Sequence, residues 1–293
     1  MGDNRRMALG EFDLIARYFD RPVQRAALGV GDDCALLRLR PGQQLAVSTD
    51  LLVEGRHFLS TVSPERLGHK ALAVNLSDLA ASGAEPLAFT LSLSLPRADE
   101  AFLAPFARGL LRLADAHGIE LVGGDTTAGP LTIGITVLGE VPPGQALLRS
   151  GAQAGDALWV SGQLGDARLA LEAFRGTVVL GGDGLEAVRQ ALECPTPRVA
   201  LGLGLRGVAS AAIDLSDGLL GDLGHVLRRS GLGAELSLAA LPRSAWLAAQ
   251  PEAVQARCLL AGGDDYELLF SAPPQAEAAV RQAAAAAGVV VHC

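Results

Sequence analysis

Aromatic residues make up only 4% of this 293-residue chain, so a stacking platform for single-stranded nucleic acid has little to be built from. Positive charge is also short. The 24 Lys and Arg stand against 32 Asp and Glu, a formal net charge of −8. That balance argues against nucleic acid or an anionic membrane as partner, since both need a basic face. A phosphorylated ligand is still compatible with it, because bound cations reverse the local field of an acidic site. The four cysteines, Cys34, Cys194, Cys258 and Cys293, form no CxxC pair and no His/Cys cluster, which speaks against a disulfide framework and structural zinc. No apolar run reaches the length of a membrane span, and the opening Met-Gly-Asp-Asn-Arg-Arg-Met has no apolar signal core. A cytoplasmic protein is expected.

What is present is apolar bulk and glycine. Hydrophobic residues reach 49% and glycine 35 copies, enough for a substantial core, roughly two domains and many tight turns. Glu11–Phe19 predicts a helix with Phe12, Ile15, Ala16 and Phe19 on one face. Short strands are expected over Cys34–Leu39 and Gln44–Thr49. Pro64–Ser82 reads as a long helix, with Ser63 as N-cap, Pro64 in its first turn and Gly83 as its stop. Leu87–Leu95 alternates strictly and predicts a strand, followed by a helix over Ala98–Gly118. Strands over Ile119–Val122 and Leu131–Val141 are expected to flank a glycine turn, Gly123–Thr127. Pro142-Pro143-Gly144 marks the boundary between domains 1–145 and 146–293. Beyond it, strands are predicted at Ala157–Ser161, Ala209–Ile213, Ala234–Leu238 and Tyr266–Ser271. Helices are predicted at Asp166–Phe174, Gly184–Leu192, Pro197–Arg206, Leu219–Ser230, around Ser244–Ala248, and at Pro274–Ala287. Val289–Cys293 reads as a strand cut in mid-course, so the natural chain is expected to continue. The pattern is mixed α and β.

Aspartates recur in one grammar, delivered by an apolar strand or a glycine turn: Gly31-Asp32-Asp33, Ser48-Thr49-Asp50, Gly123-Gly124-Asp125, Asp214-Leu215-Ser216-Asp217-Gly218 and Gly262-Gly263-Asp264-Asp265. Any one of them has an ordinary explanation in turn or cap chemistry. Asp78 is harder to explain so. It shares a face with Asn75 in the apolar helix Ala71–Ala81, with no Lys or Arg within a turn, and buried carboxylates need a partner. If these groups converge, two like charges ~4 Å apart repel by about 4 kcal/mol at an effective dielectric near 20. The set would protonate or take divalent cations. All-oxygen donors without His or Cys favour Mg²⁺, Mn²⁺ or Ca²⁺. No Walker-type loop, no strand-to-helix GxGxxG and no GxSxG occurs.

The motifs in this order resemble the thiamine-monophosphate kinase family and its wider superfamily. They are Gly10-Glu11-Phe12, Gly29–Leu36, Ser48–Asp50, Glu54–Phe58, Lys70–Ala84, Gly123–Thr126, Ser161–Asp166, Ala212–Leu220 and Gly262–Leu269. The resemblance implies an α+β fold, with an N-terminal domain that pairs through its sheet in a homodimer, followed by a C-terminal α/β domain. It implies an ATP- and Mg²⁺-dependent transfer of the γ-phosphoryl group onto thiamine monophosphate. By motif position, Asp33, Ser48, Thr49, Asp50, Asp78, Asp125, Asp214 and Asp217 would hold metal. Gly124, Asp125, Arg149 and Ser216 would meet the nucleotide, and Asp125, Asp217 and Arg149 would carry the catalysis. His57 and Asp264 would face the substrate, although the family more often has glutamate where Asp264 stands. The family's final segment, with an aromatic that stacks on the substrate, has no counterpart after Cys293. Two alternatives compete. A selenophosphate synthetase-like enzyme would need a reactive Cys near the N-terminus, and residues 1–20 have none. A non-catalytic divalent-cation-binding module would bind metal tightly without nucleotide.

Overall fold

The computed structural model describes residues 11–293, and side chains from residue 13 onward. Gly10 and the side chains of Glu11 and Phe12, part of the first motif, lie outside the described residues. Among these residues the fold is α+β, built on two four-stranded sheets.

The first sheet contains β1 (Gln44–Val53), β2 (Glu85–Leu95), β3 (Glu120–Ala128) and β4 (Thr132–Val141), in the order β1-β4-β2-β3. Its pairs are antiparallel except β2–β3, which is parallel and is joined by a helical crossover, as parallel neighbours require. The alternation along β2 sends Phe89, Leu91, Leu93 and Leu95 into the core. There they meet α2 (Pro64–Ala81) and α3 (Glu100–His117). Ser63 caps α2 by accepting from the Arg66 N–H, Pro64 occupies its first turn, and Gly83 follows in the left-handed region. The two helices touch backbone to backbone. A Cβ on Gly68 would lie 2.1 Å from the Phe106 carbonyl oxygen, and one on Gly109 would lie 1.9 Å from that of Glu65.

The second sheet runs β6-β7-β5-β8, all antiparallel, from β5 (Ala157–Ser161), β6 (Ala211–Asp214), β7 (Leu268–Ala272) and β8 (Val291–His292). Around it lie α4 (Asp166–Phe174), α5 (Gly182–Glu193), α6 (Val199–Gly204), α7 (Leu219–Ser230), α8 (Ala245–Ala248), α9 (Glu252–Ala261) and α10 (Glu277–Ala286). α1 (Glu11–Tyr18) packs near α3 and β3. α2 is the bridge between the halves. It contacts α6 and β6 as well as the first sheet, and one apolar core runs from Leu72 and Phe89 through Leu201 to Phe270.

Several elements differ from expectation. Cys34–Leu39 is not a strand. It forms one bridge, Leu36 to Leu28, and its apolar residues Ala35, Leu37 and Leu39 lie over the outer face of the first sheet. Ala234–Leu238 is irregular and leads into a short 3-10 turn. Among the described side chains of α1 Leu14 is buried and Ala16 exposed, and Phe19, just past the helix end, is buried. Gly123–Thr127 is not a turn but the middle of β3, where its backbone pairs with Thr90–Ser94 of β2. α9 was not expected at all.

Candidate functional site

The carboxylates fall into three places. The first is the junction of the halves, where β1, α2 and β6 meet. Strand alternation turns Ser48 and Asp50 toward α2. The Ser48 hydroxyl donates to Asp78 Oδ2 at 2.5 Å, and the Asp50 N–H donates to Asn75 Oδ1 at 3.1 Å. At the end of β6, buried Asp214 accepts from the Ser77 hydroxyl at 2.7 Å. α2 therefore presents Asn75, Ser77 and Asp78 to both neighbouring strands, which explains polar residues in a helix otherwise enclosed by core.

Electrostatics marks this cluster. Burial and the charge of Asp78 push Asp50 up to about 6. Burial, then Asp78, push Asp214 up to about 7 despite the Ser77 bond. Asp78 is itself raised, by burial first, with the Ser48 hydroxyl and the Arg149 charge opposing. Arg149 shares a cavity of about 260 Å³ with Ser48, Asp78 and Asp214, and its charge acts on Asp78 from there. Carboxylates raised in this way are short of positive charge and fit a divalent cation with oxygen ligands. No three His, Cys, Asp or Glu side chains among the described residues converge closely enough to hold an ion alone.

The second place is a cavity of about 550 Å³ along β3, lined by Asp33, Gly124 and Asp125. Gly124 sits at φ +150°, and a Cβ there would lie 1.8 Å from the Leu91 carbonyl oxygen. Only glycine permits this close parallel pairing, which leaves Asp125 exposed beside the loop that carries Asp33.

The third is a pair of loops after β6 and before β7. They are zipped together by Asp264 N–H to Ser216 O (2.9 Å) and Tyr266 N–H to Leu215 O (2.8 Å). Asp217 is exposed on the first loop. Asp264 lines a cavity of about 210 Å³ with His57, Lys70, Phe58 and Phe174. His57 Nδ1 accepts from the Val53 N–H at 3.0 Å, which places the ring proton of its neutral form on Nε2.

One expected ligand stands apart. Thr49 alternates to the opposite face of β1, where its hydroxyl donates to Ile135 O at 3.0 Å and accepts from Thr136 at 3.1 Å. Its side chain does not join Ser48 and Asp50. Two residues went unnoticed in the sequence. Buried Asp222, in the first turn of α7, accepts at one oxygen from the N–H groups of Ser216, Asp217 and Gly218 at 3.0, 3.0 and 3.1 Å. Lys70, 2% exposed, pairs with Asp264. A lysine in an apolar helix was a signal of the same kind as Asp78.

Comparison with known proteins agrees with this arrangement of two sheets around a junction. Residues 31–141 match the N-terminal domain of AIR synthase related proteins, and residues 153–292 match their C-terminal domain. The chain is therefore of the AIR synthase related class. Thiamine-monophosphate kinase from Escherichia coli K12 is 48% identical over 293 residues, covering 98% of this chain and 90% of the relative. Thiamine-monophosphate kinase from Stenotrophomonas maltophilia K279a is 44% identical, with a TM-score of 0.87 over 95% of this chain and 90% of that one. AaThiL, solved in complex with AMPPCP and TMP, is 33% identical, with a TM-score of 0.75 over 82% and 78% of the two chains. This chain belongs to the thiamine-monophosphate kinase family.

Proposed function

We infer that the protein transfers the γ-phosphoryl group of ATP onto the phosphate of thiamine monophosphate, giving thiamine diphosphate and ADP. The observation that carries this reading is the junction cluster of Asp50, Asp78 and Asp214, three carboxylates in need of cations, with Arg149 lining one cavity with Asp78 and Asp214. Such a site suits a polyphosphate. The family's name and the relative bound to AMPPCP and TMP support the choice of donor and acceptor.

The acceptor phosphate is largely ionised near neutral pH, its second pKa being about 6, so little general-base work is required. An oxygen of that phosphate attacks the γ-phosphorus, the bond to the β,γ-bridging oxygen breaks, and ADP leaves with the electron pair. The chain's task is alignment and charge balance. Arg149 would offer guanidinium N–H donors to the nucleotide phosphates. Gly124 and Ser216 would admit the phosphates close to the backbone. His57 and Asp264 would orient the acceptor from the cavity they share.

Mg²⁺ fits the donor set, with Asp33, Ser48, Asp50, Asp78, Asp125, Asp214 and Asp217 as its proposed ligands, direct or through water. When bound, it would neutralise charge on the transferred group. Thr49 keeps a place only through its backbone. We place the domain boundary between residues 145 and 146. A homodimer through the first sheet is supported by Leu45, Val47 and Leu51, exposed side by side on the outer face of β1. No helix among the described residues is long and apolar enough to cross a membrane, and we assign the protein to the cytoplasm.

The test is incubation with ATP and thiamine monophosphate, with and without Mg²⁺, and chromatography of the products. Thiamine diphosphate formed only with the metal supports the reading. Metal-dependent release of free phosphate with no thiamine diphosphate overturns it.

A further inference from the structure

Lysine is almost never fully buried without a partner, yet Lys70 is 2% exposed within α2. Its ammonium meets Asp264 Oδ1 at 3.2 Å and the His57 carbonyl oxygen at 3.4 Å. Both partners belong to the cavity of about 210 Å³ walled by Phe58, Leu171 and Phe174. Lys70 stands on the first half of the chain and Asp264 on a loop of the second, so the contact spans the junction.

The loop itself is strained. Asp264 at φ +67° and Tyr266 at φ +49° are both non-glycine residues in the left-handed region. Such conformations persist where the surroundings over-determine them, and they gather at functional sites. Here the backbone is held by the bonds to Ser216 and Leu215. Between them, the Asp265 carboxylate accepts from the Gly165 N–H at 3.0 Å. The Tyr266 hydroxyl then donates to Asp264 Oδ1 at 3.2 Å, the same oxygen that meets Lys70. Among the described residues no donor meets Oδ2, and the side chain of Asp264 is one-third exposed, at 33%.

We propose that Lys70 and Tyr266 are positioning residues, which fix Asp264 through Oδ1 so that Oδ2 is offered to an N–H donor of the ligand's heterocycle in the cavity between Phe58 and Phe174. The idea rests on the kinase reading for the identity of that ligand. A buried ion pair is weak evidence for stability, because apolar residues of similar volume often serve as well. Fixing a carboxylate for recognition is a use that such replacements would not match.

The test compares Lys70→Met, Tyr266→Phe, Asp264→Asn and the double variant Lys70→Met/Asp264→Asn in steady-state kinetics. Lys70→Met is expected to raise KM for thiamine monophosphate about ten-fold while KM for ATP stays within about two-fold. In the double variant, Lys70→Met is expected to add less than about two-fold to Asp264→Asn, because both act through one carboxylate. Tyr266→Phe removes only a hydroxyl and is expected to shift the same KM by a few-fold. It decides the matter if Lys70→Met does not fold. Equal rises in both KM values, additive effects in the double variant, or wild-type KM in Lys70→Met and Tyr266→Phe would overturn the proposal. A wild-type protein that makes no thiamine diphosphate would instead overturn the kinase reading.

Discussion

Replacing Asp222 with alanine removes the single oxygen that accepts from three consecutive N–H groups in the loop of Ser216 and Asp217. The Gly218 N–H is buried, and leaving it without an acceptor costs about 1–3 kcal/mol. The other two N–H groups are partly buried, so water can replace the carboxylate there at a further cost of about 0.5–1 kcal/mol each. Burial opposes this, since it already holds the Asp222 carboxyl above its usual range. A net loss of about 2–3 kcal/mol is therefore expected. The loop would relax, and with the role proposed for Ser216 and Asp217 a displacement near 1 Å would lower turnover about a hundred-fold. Asp222→Asn separates charge from geometry. Its amide oxygen can occupy the accepting position, so a stability loss of about 1 kcal/mol or less and a rate within about ten-fold of wild type are expected. Urea unfolding and initial rates of thiamine diphosphate formation measure both effects. Wild-type stability and rate in Asp222→Ala would refute the reasoning. Equal damage from Asn and Ala would show that charge, not the accepting oxygen, orders the loop.

Asp214→Asn should abolish most turnover yet leave the metal-free protein as stable or more stable at pH 8. A carboxyl raised to about 7 in the fold contributes most stability below its unfolded value of about 4 and loses it as pH rises through about 7. A lower melting temperature of the variant at pH 8 than at pH 5, relative to wild type, would contradict this. Glu120→Gln should behave in the opposite sense. Burial raises the Glu120 carboxyl, but N–H groups of Ala26, Arg25 and Gln24 outweigh it and hold the carboxyl below its usual range. Its contribution, about 1–2 kcal/mol after allowance for partial exposure, is present above about pH 4.5 and fades as pH falls. Thermal melts of wild type and variant should therefore converge toward pH 3. Val47→Asp places a charge at the centre of the exposed apolar face of β1, and sedimentation should show a wild-type dimer and a variant monomer. A dimeric variant would move the interface elsewhere.

Much of this was legible in the sequence because the local signals agreed with one another. α2 announced itself through Ser63, Pro64 and Gly83, and β2 through strict alternation. Period-two reasoning also separates Thr49 from Ser48 and Asp50, a consequence that the motif match alone conceals. Other features depend on tertiary contact. The glycines of β3 look like a turn until β2 is placed beside them, when Gly124 proves to be the point of closest approach. α9 buries only Cys258 and Leu259, so it shows no apolar stripe. Cys34–Leu39 has apolar residues enough for a strand but pairs only at Leu36, and it serves as a cover over the sheet. The convergence of Asp50, Asp78 and Asp214 needs α2 to lie between two sheets, which no local pattern contains. Lys70 and Asp222 act on backbone or side chains far along the chain or around a turn, so their partners could not be named from spacing.

Direct transfer is tested by following the γ-phosphorus of ATP by ³¹P NMR in the presence of thiamine monophosphate and Mg²⁺. This phosphorus is expected to reappear as the terminal phosphate of thiamine diphosphate, with one ADP per product and no orthophosphate intermediate. Its appearance as orthophosphate, with thiamine monophosphate unchanged, would contradict it.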